Sequence, residues 1–168
     1  IIMWCQMAIA AAGLFAATSF KYLPFAYFFR FYAIPIKYFI FKSKPSDLKQ
    51  FKDRVHRSKL SLFAPVTKHT YCCPMECDFF GFHKNNGTYQ VELDLNRTET
   101  ILDKLYPYLM DFHKEKDKYP YIPLATIGIY FMKEILPFQK YHVENRILTW
   151  DEKWIFVLSK FIVGDRTV

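Results

Sequence analysis

DFFGFHKNNGTYQVELDLNR, residues 78–97, is the stretch on which the fold turns. It opens on Asp78 and carries Gly81, Asn85, Asn86 and Gly87 within ten residues. Glycine and asparagine tolerate backbone conformations that other residues avoid, so 78–87 reads as a loop. Residues 88–106 then show a mixed helical period, through Tyr89, Leu93, Asn96, Thr100, Leu102 and Leu105. Pro107 is expected to stop that helix, because it lacks an amide hydrogen and crowds the preceding turn.

Outward from this unit the pattern is strand-like on both sides. Thr67–Met75, with Thr, Tyr and Cys, is expected to be a strand before the loop. Residues 111–120 are charged and loop-like. Leu124–Lys133, Lys140–Trp150 and Trp154–Val163 are strand candidates, the last two joined by a turn at Asp151-Glu152. The run Trp154–Leu158 is nearly all apolar, as in a central strand covered on both faces. Residues 164–168 look like the start of a further strand, which suggests a fragment with C-terminal strands missing. One helix followed by long antiparallel strands points to an α+β domain over 66–168, in a 168-residue chain that suits one domain.

The first 20 residues, IIMWCQMAIAAAGLFAATSF, carry no charge. Twenty helical residues span about 30 Å, the thickness of a bilayer's hydrocarbon core. A transmembrane helix over 1–20 is the first expectation; a signal peptide and a buried core helix are its rivals. Residues 23–41 are rich in Phe and Tyr but interrupted by Pro24, Arg30, Pro35 and Lys37. Arginine at a bilayer centre costs roughly 2.5–3.5 kcal/mol on insertion scales. This stretch is therefore expected to lie along the membrane surface, with a connector up to residue 65. Residues 21–60 carry ten Lys/Arg and two acids, +8, against +7 for the whole chain. A basic band behind an apolar segment suits anionic lipid and puts the domain on the cytosolic side. Such local basicity does not point to nucleic acid.

Cys72, Cys73 and Cys77 crowd into six residues, too close for a disulfide framework, and fit a reducing compartment. With His83 they lack the spacing of a zinc site, so no metal is expected. Asn86 and Asn96 head glycosylation sequons, inert if the domain faces the cytosol.

The segment from Asp78 through Gly81, His83, Asn85 and Asn86 to Tyr89 resembles the Asp-x-x-Gly-His-x-Asn-Asn-x-x-Tyr signature of hotdog-fold thioesterases of the 4-hydroxybenzoyl-CoA type. The continuation through Asp94 to Arg97, the hairpin from Thr149 to Trp154, and Leu23 to Ala26 with Arg30 are similar to a membrane-anchored branch of that superfamily. His83 stands five residues after Asp78, where the signature has four, so one residue is inserted in the loop. The resemblance implies a long antiparallel sheet wrapped round a central helix, a homo-oligomer, and an acyl-CoA or similar thioester as substrate, with no cofactor.

Thioester hydrolysis needs a nucleophile or base and a donor to the carbonyl oxygen. Asp78 fits the first role. Glu92 on the helix is the rival carboxylate, since some hotdog enzymes use one there. Gly81, His83, Asn85, Asn86 and Tyr89 are expected to line the substrate site, with the helix N-terminus favouring negative charge. The competing reading is a non-catalytic hotdog protein that binds lipid or acts as a scaffold, in which Asp78 and the asparagines only build the turn and cap the helix.

Overall fold

The computed structural model describes residues 2–41, 53, 62–118 and 120–168. Helix α1 (Ile2–Thr18) is followed by a 3-10 turn (Phe20–Tyr22) and helix α2 (Ala26–Ile36), which Lys37–Phe41 continues as a π-type turn. Strand β1 (Val66–Tyr71) and a short 3-10 turn (Pro74–Glu76) lead through the loop into α3 (Asn86–Lys116). Strands β2 (Lys140–Trp150), β3 (Ile155–Val163) and β4 (Arg166–Thr167) complete the order. The four strands form one antiparallel sheet in sequence order, β1-β2-β3-β4. A long helix laid on an antiparallel sheet fits the hotdog pattern.

Alternation along β2 explains the sheet's inner face. Tyr141, Val143, Asn145 and Ile147 are buried, while His142, Glu144 and Arg146 point the other way. Tyr89 of α3 packs with Tyr141, Val143 and Phe161 in the main core. A second cluster joins Leu95 and Leu102 of α3 to Tyr27, Phe31, Ile34 and Tyr38.

The structure departs from the sequence-based expectations in five places. The helix does not stop at Pro107 but runs to Lys116, and residues 111–116 belong to it. Good helix formers follow the proline, and the cap comes at Asp117, whose φ of 52° ends the helix in the left-handed region. Strand β1 ends at Tyr71, because Pro74 begins the 3-10 turn. Leu124–Lys133 forms no strand: nothing in the described chain pairs with it, and Leu124, Tyr130 and Met132 lie exposed. The apolar start of β3 is not covered on both faces, since Ile155 and Phe156 are exposed where the β2–β3 hairpin outruns the helix. The Asp151 turn does form, with the Asp151 carboxylate accepting from the Lys153 and Trp154 amides.

The fifth departure is at the N-terminus. Helix α1 ends at Thr18, and among the described residues no helix is long and apolar enough to cross a membrane. Segment 21–41 does not simply lie outside the domain either. One side of α2 packs on α3, while Phe25, Phe28, Phe29 and Tyr32 stay exposed on the other. The basic residues Lys42 to Lys59 fall outside the described residues.

Candidate active site

Asp78 sits where the chain leaves the 3-10 turn, in a loop that closes on itself. The Asp78 amide donates to the His83 carbonyl (3.0 Å), and the Gly81 amide donates to the Asp78 carbonyl (2.8 Å). Gly81 has φ +70°, which a side-chain-bearing residue adopts only with strain. The Asp78 carboxylate accepts from the Phe82 amide through Oδ1 (3.1 Å) and faces His83 Nε2 through Oδ2 (3.7 Å). Both side chains are part-exposed, 27% and 36%. Phe79, Phe80 and Phe82 are exposed in this loop.

Asn85 caps α3, with Oδ1 accepting from the Gly87 amide (2.9 Å). Asn86 begins the helix and is exposed. Tyr89 is one turn further in and buried, its ring edge-on to Phe161 at 4.8 Å. Asp78, Gly81, His83, Asn85 and Asn86 thus gather in one loop and helix start, while Tyr89 belongs to the core beneath the sheet-facing side of α3.

Glu92 lies elsewhere. It is fully buried, and Arg30 Nη2 donates to both its oxygens at 2.8 and 2.9 Å. Lys21 approaches it at 3.6 Å and Glu76 at 2.5 Å. Glu76 is itself fully buried and also pairs with Lys84, which is almost wholly buried. Lys84 and Lys21 lie near the rings of Tyr89, Tyr141 and Tyr71. Burial raises the Glu76 carboxyl, but the Lys84 and Lys21 ammoniums and the Cys73 amide more than reverse this and leave it below its ordinary value. Burial pushes Tyr141 upward, aided by the Glu92 and Glu76 charges, so the ring stays neutral.

Sequence reading missed this cluster. Lys21 and Arg30 read as lipid-facing, yet their partners lie far along the chain, 62 residues away for Arg30. No local pattern marks Glu76, and the one available hint is a charged residue lodged between Cys73 and Cys77. The sequon at Asn96 is sealed in the core, whereas Asn86 is exposed.

No family model matches the chain. Over 158 residues it is 42% identical to the probable thioesterase YBR096W of Saccharomyces cerevisiae, covering 92% of this chain and 66% of the relative. It is 32% identical over 102 residues to the probable thioesterase atnL of Emericella nidulans, covering 52% of this chain and 33% of the relative. Both of these relatives are named as probable thioesterases. A more distant similarity, 23% over 112 residues, reaches the protein THEM6 of Drosophila melanogaster, with 67% of this chain and 55% of that one covered. The chain thus spans less than two thirds of the length of each of these relatives. No solved structure matches.

Proposed function

We propose that the chain is the core of a membrane-held thioester hydrolase acting on an acyl-CoA or similar thioester, with Asp78 as its reacting carboxylate. The observation that carries this is the part-exposed Asp78–His83 pair beside the exposed start of α3, in a chain with thioesterase-named relatives. In this reading Asp78 either attacks the thioester carbon or takes a proton from an attacking water. The carbonyl oxygen gains negative charge, which the first turn of α3 at Asn86 and Gly87 favours. The thiolate leaves: in the first case water then cleaves the acyl–Asp78 anhydride and frees the carboxylate, in the second Asp78 passes the proton it took to the departing sulfur. His83 holds Asp78 in orientation. Glu92 is the rival only if the ion cluster around it opens.

Membrane attachment belongs to the same proposal. Met3, Trp4, Met7, Ile9 and Leu14 of α1 are all exposed among the described residues. The outer aromatic face of α2 extends that surface. Lipid is the partner that suits both, with the domain on the cytosolic side and the basic band of the sequence supplying charge for anionic headgroups. Vesicle binding should then weaken as salt rises. Glycosylation at Asn86 in the native protein would overturn the orientation. The exposed apolar segment around Leu124, Tyr130 and Met132 supports a homo-oligomer, in which a second copy covers it.

A second reading, a non-catalytic lipid-binding or scaffold protein, is favoured by one observation. Asp78 Oδ1 and Asn85 Oδ1 are already spent on their own loop's amides. The test is release of free CoA by the full-length protein across a panel of acyl-CoAs. Hydrolysis of at least one supports the enzyme; none on any favours the scaffold.

A further inference from the structure

The loop that presents Asp78 has a neck, closed by the Cys77–Lys84 bridge, by the Asp78 amide on the His83 carbonyl and by Glu76. Glu76 holds the far side of the loop three times. Its carboxylate pairs with Lys84, its carbonyl accepts from the Asn85 amide (2.7 Å), and the same carbonyl accepts from the Thr88 hydroxyl (3.2 Å). The remaining carboxylate oxygen accepts from the Cys73 amide (2.8 Å) and meets Lys21 (2.5 Å). Lys21 also donates to the Thr70 hydroxyl (3.1 Å) and to the Tyr71 carbonyl. Beside it, the Tyr22 hydroxyl donates to the Thr88 carbonyl (3.1 Å), and the Tyr71 hydroxyl donates to the Thr18 carbonyl at the end of α1 (2.6 Å).

We propose that Lys21 and Tyr22 are positioning residues for the candidate site: the turn between α1 and α2 clamps the neck of the Asp78 loop through Glu76 and Thr88. The end of α1 and the loop are then one mechanical unit, and the N-terminal segment is part of the site's scaffold rather than a tether. The geometry requires this reading more than a general stabilising role does. The side-chain hydrogen bonds of Lys21 and Tyr22 among the described residues fall on Thr70 and Tyr71 at the end of β1 and on Thr88, and the shorter ion pair of Lys21 falls on Glu76; Lys21 also approaches Glu92 (3.6 Å). A buried ammonium with several acceptors is hard to replace: its loss takes one of two ammonium partners from Glu76 and a donor from both the Thr70 hydroxyl and the Tyr71 carbonyl.

The proposal rests on the thioesterase reading only where it concerns turnover, so its test has a second arm. Amide hydrogen exchange is followed in the full chain for wild type, Lys21→Met, Lys21→Arg and Tyr22→Phe. Local opening raises exchange only in the unit that opens. In Lys21→Met, amides of 77–88 should exchange on the order of tenfold faster while the 140–163 hairpin changes little. Lys21→Arg should restore part of the protection. Tyr22→Phe keeps every charge and removes one hydroxyl, so it should loosen the same region by a factor of about two to five. If the wild type hydrolyses a thioester, kcat should fall in Lys21→Met with KM nearly unchanged. Unchanged loop exchange in Tyr22→Phe together with unchanged or uniformly raised exchange in Lys21→Met would overturn the proposal. Should Lys21→Met fail to fold, Tyr22→Phe decides alone. A wild type without hydrolysis sinks the enzyme reading and leaves the exchange result standing.

Discussion

Two groups of carboxylates lie close together along the chain and live under opposite physics. Asp78 is part-exposed, bonded to its own loop, and faces one histidine. Glu76 and Glu92 are fully buried and held by Lys21, Arg30 and Lys84. A buried charge with partners is expensive to disturb, because removing one member strands the others. A part-exposed one is cheap to disturb and accessible to a substrate. The contrast teaches that a candidate reacting acid is told from a structural one by its access to solvent, and that of the sealed acids it is Glu76 that braces the loop carrying Asp78.

The strongest way to break the comparison is Glu92→Gln. It removes the charge that Arg30 and Lys21 share while keeping the shape. Breaking a buried pair from one side typically costs about 3–5 kcal/mol. Urea unfolding of the full chain should show a loss of that order. A loss under about 1 kcal/mol would mean that water reaches the cluster and that the division between sealed and accessible acids is wrong.

The next test sharpens the other side. Asp78→Asn should lower any measured thioesterase turnover by at least ~10², the scale of a positioned acid or base. Stability should move by no more than about 0.5–2 kcal/mol, since Asn can still accept from the Phe82 amide. A severe loss of stability with modest loss of turnover would exchange the roles assigned to the two groups.

The sequence made one of these regions legible and hid the other. Asp78, Gly81, His83, Asn85 and Asn86 are neighbours in sequence, so a turn-rich motif before a helical period reveals both the loop and the start of α3. Strand β2 was equally open, because burial alternates along Lys140–Trp150. The ion cluster draws on α2, the 3-10 turn and α3, and its members meet only after folding. A basic residue in an aromatic stretch reads locally as a lipid contact; Arg30 is one only until Glu92 is known to face it. The segment around Leu124–Lys133 has a strand's composition, but a strand needs a neighbour, and composition cannot supply one. Pro107 misled for the reverse reason: a local penalty of about 3 kcal/mol is outweighed in a helix of 31 residues packed on both sheet and helix.

A third test uses pH to reach the sealed acids. The Glu76 carboxyl is held below its ordinary value of 4.5 in the folded protein. A lowered folded value means stability that is present above about 4.5 and lost as pH falls through the folded value. The slope for one proton is at most about 1.4 kcal/mol per pH unit. Glu76→Gln should be less stable than wild type at pH 6, and the gap should close as pH drops below 4.5. A gap independent of pH would show that Glu76 contributes shape and not charge.

The smallest effect concerns a buried polar group that has no such partners. Asn145 is fully buried on the inner face of the sheet, paired across strands with Val66 and Ser159, and neither its amide nitrogen nor its oxygen meets a partner among the described residues. It contrasts with the ion cluster, where every charged side chain has a partner and only Arg30 Nη1 is left without a bond. An unsatisfied buried amide costs about 1–3 kcal/mol, and leucine has similar volume without that cost. Part of the gain is lost to imperfect shape, because swaps in a packed core usually cost up to about 1.5 kcal/mol. Asn145→Leu is therefore expected to raise stability by ~1 kcal/mol, read as a higher urea midpoint with an unchanged slope. A fall of more than ~1 kcal/mol would show that Asn145 is bonded in solution, to ordered water or to a second copy of the chain, and that the inner face is as fully satisfied as the cluster beside it.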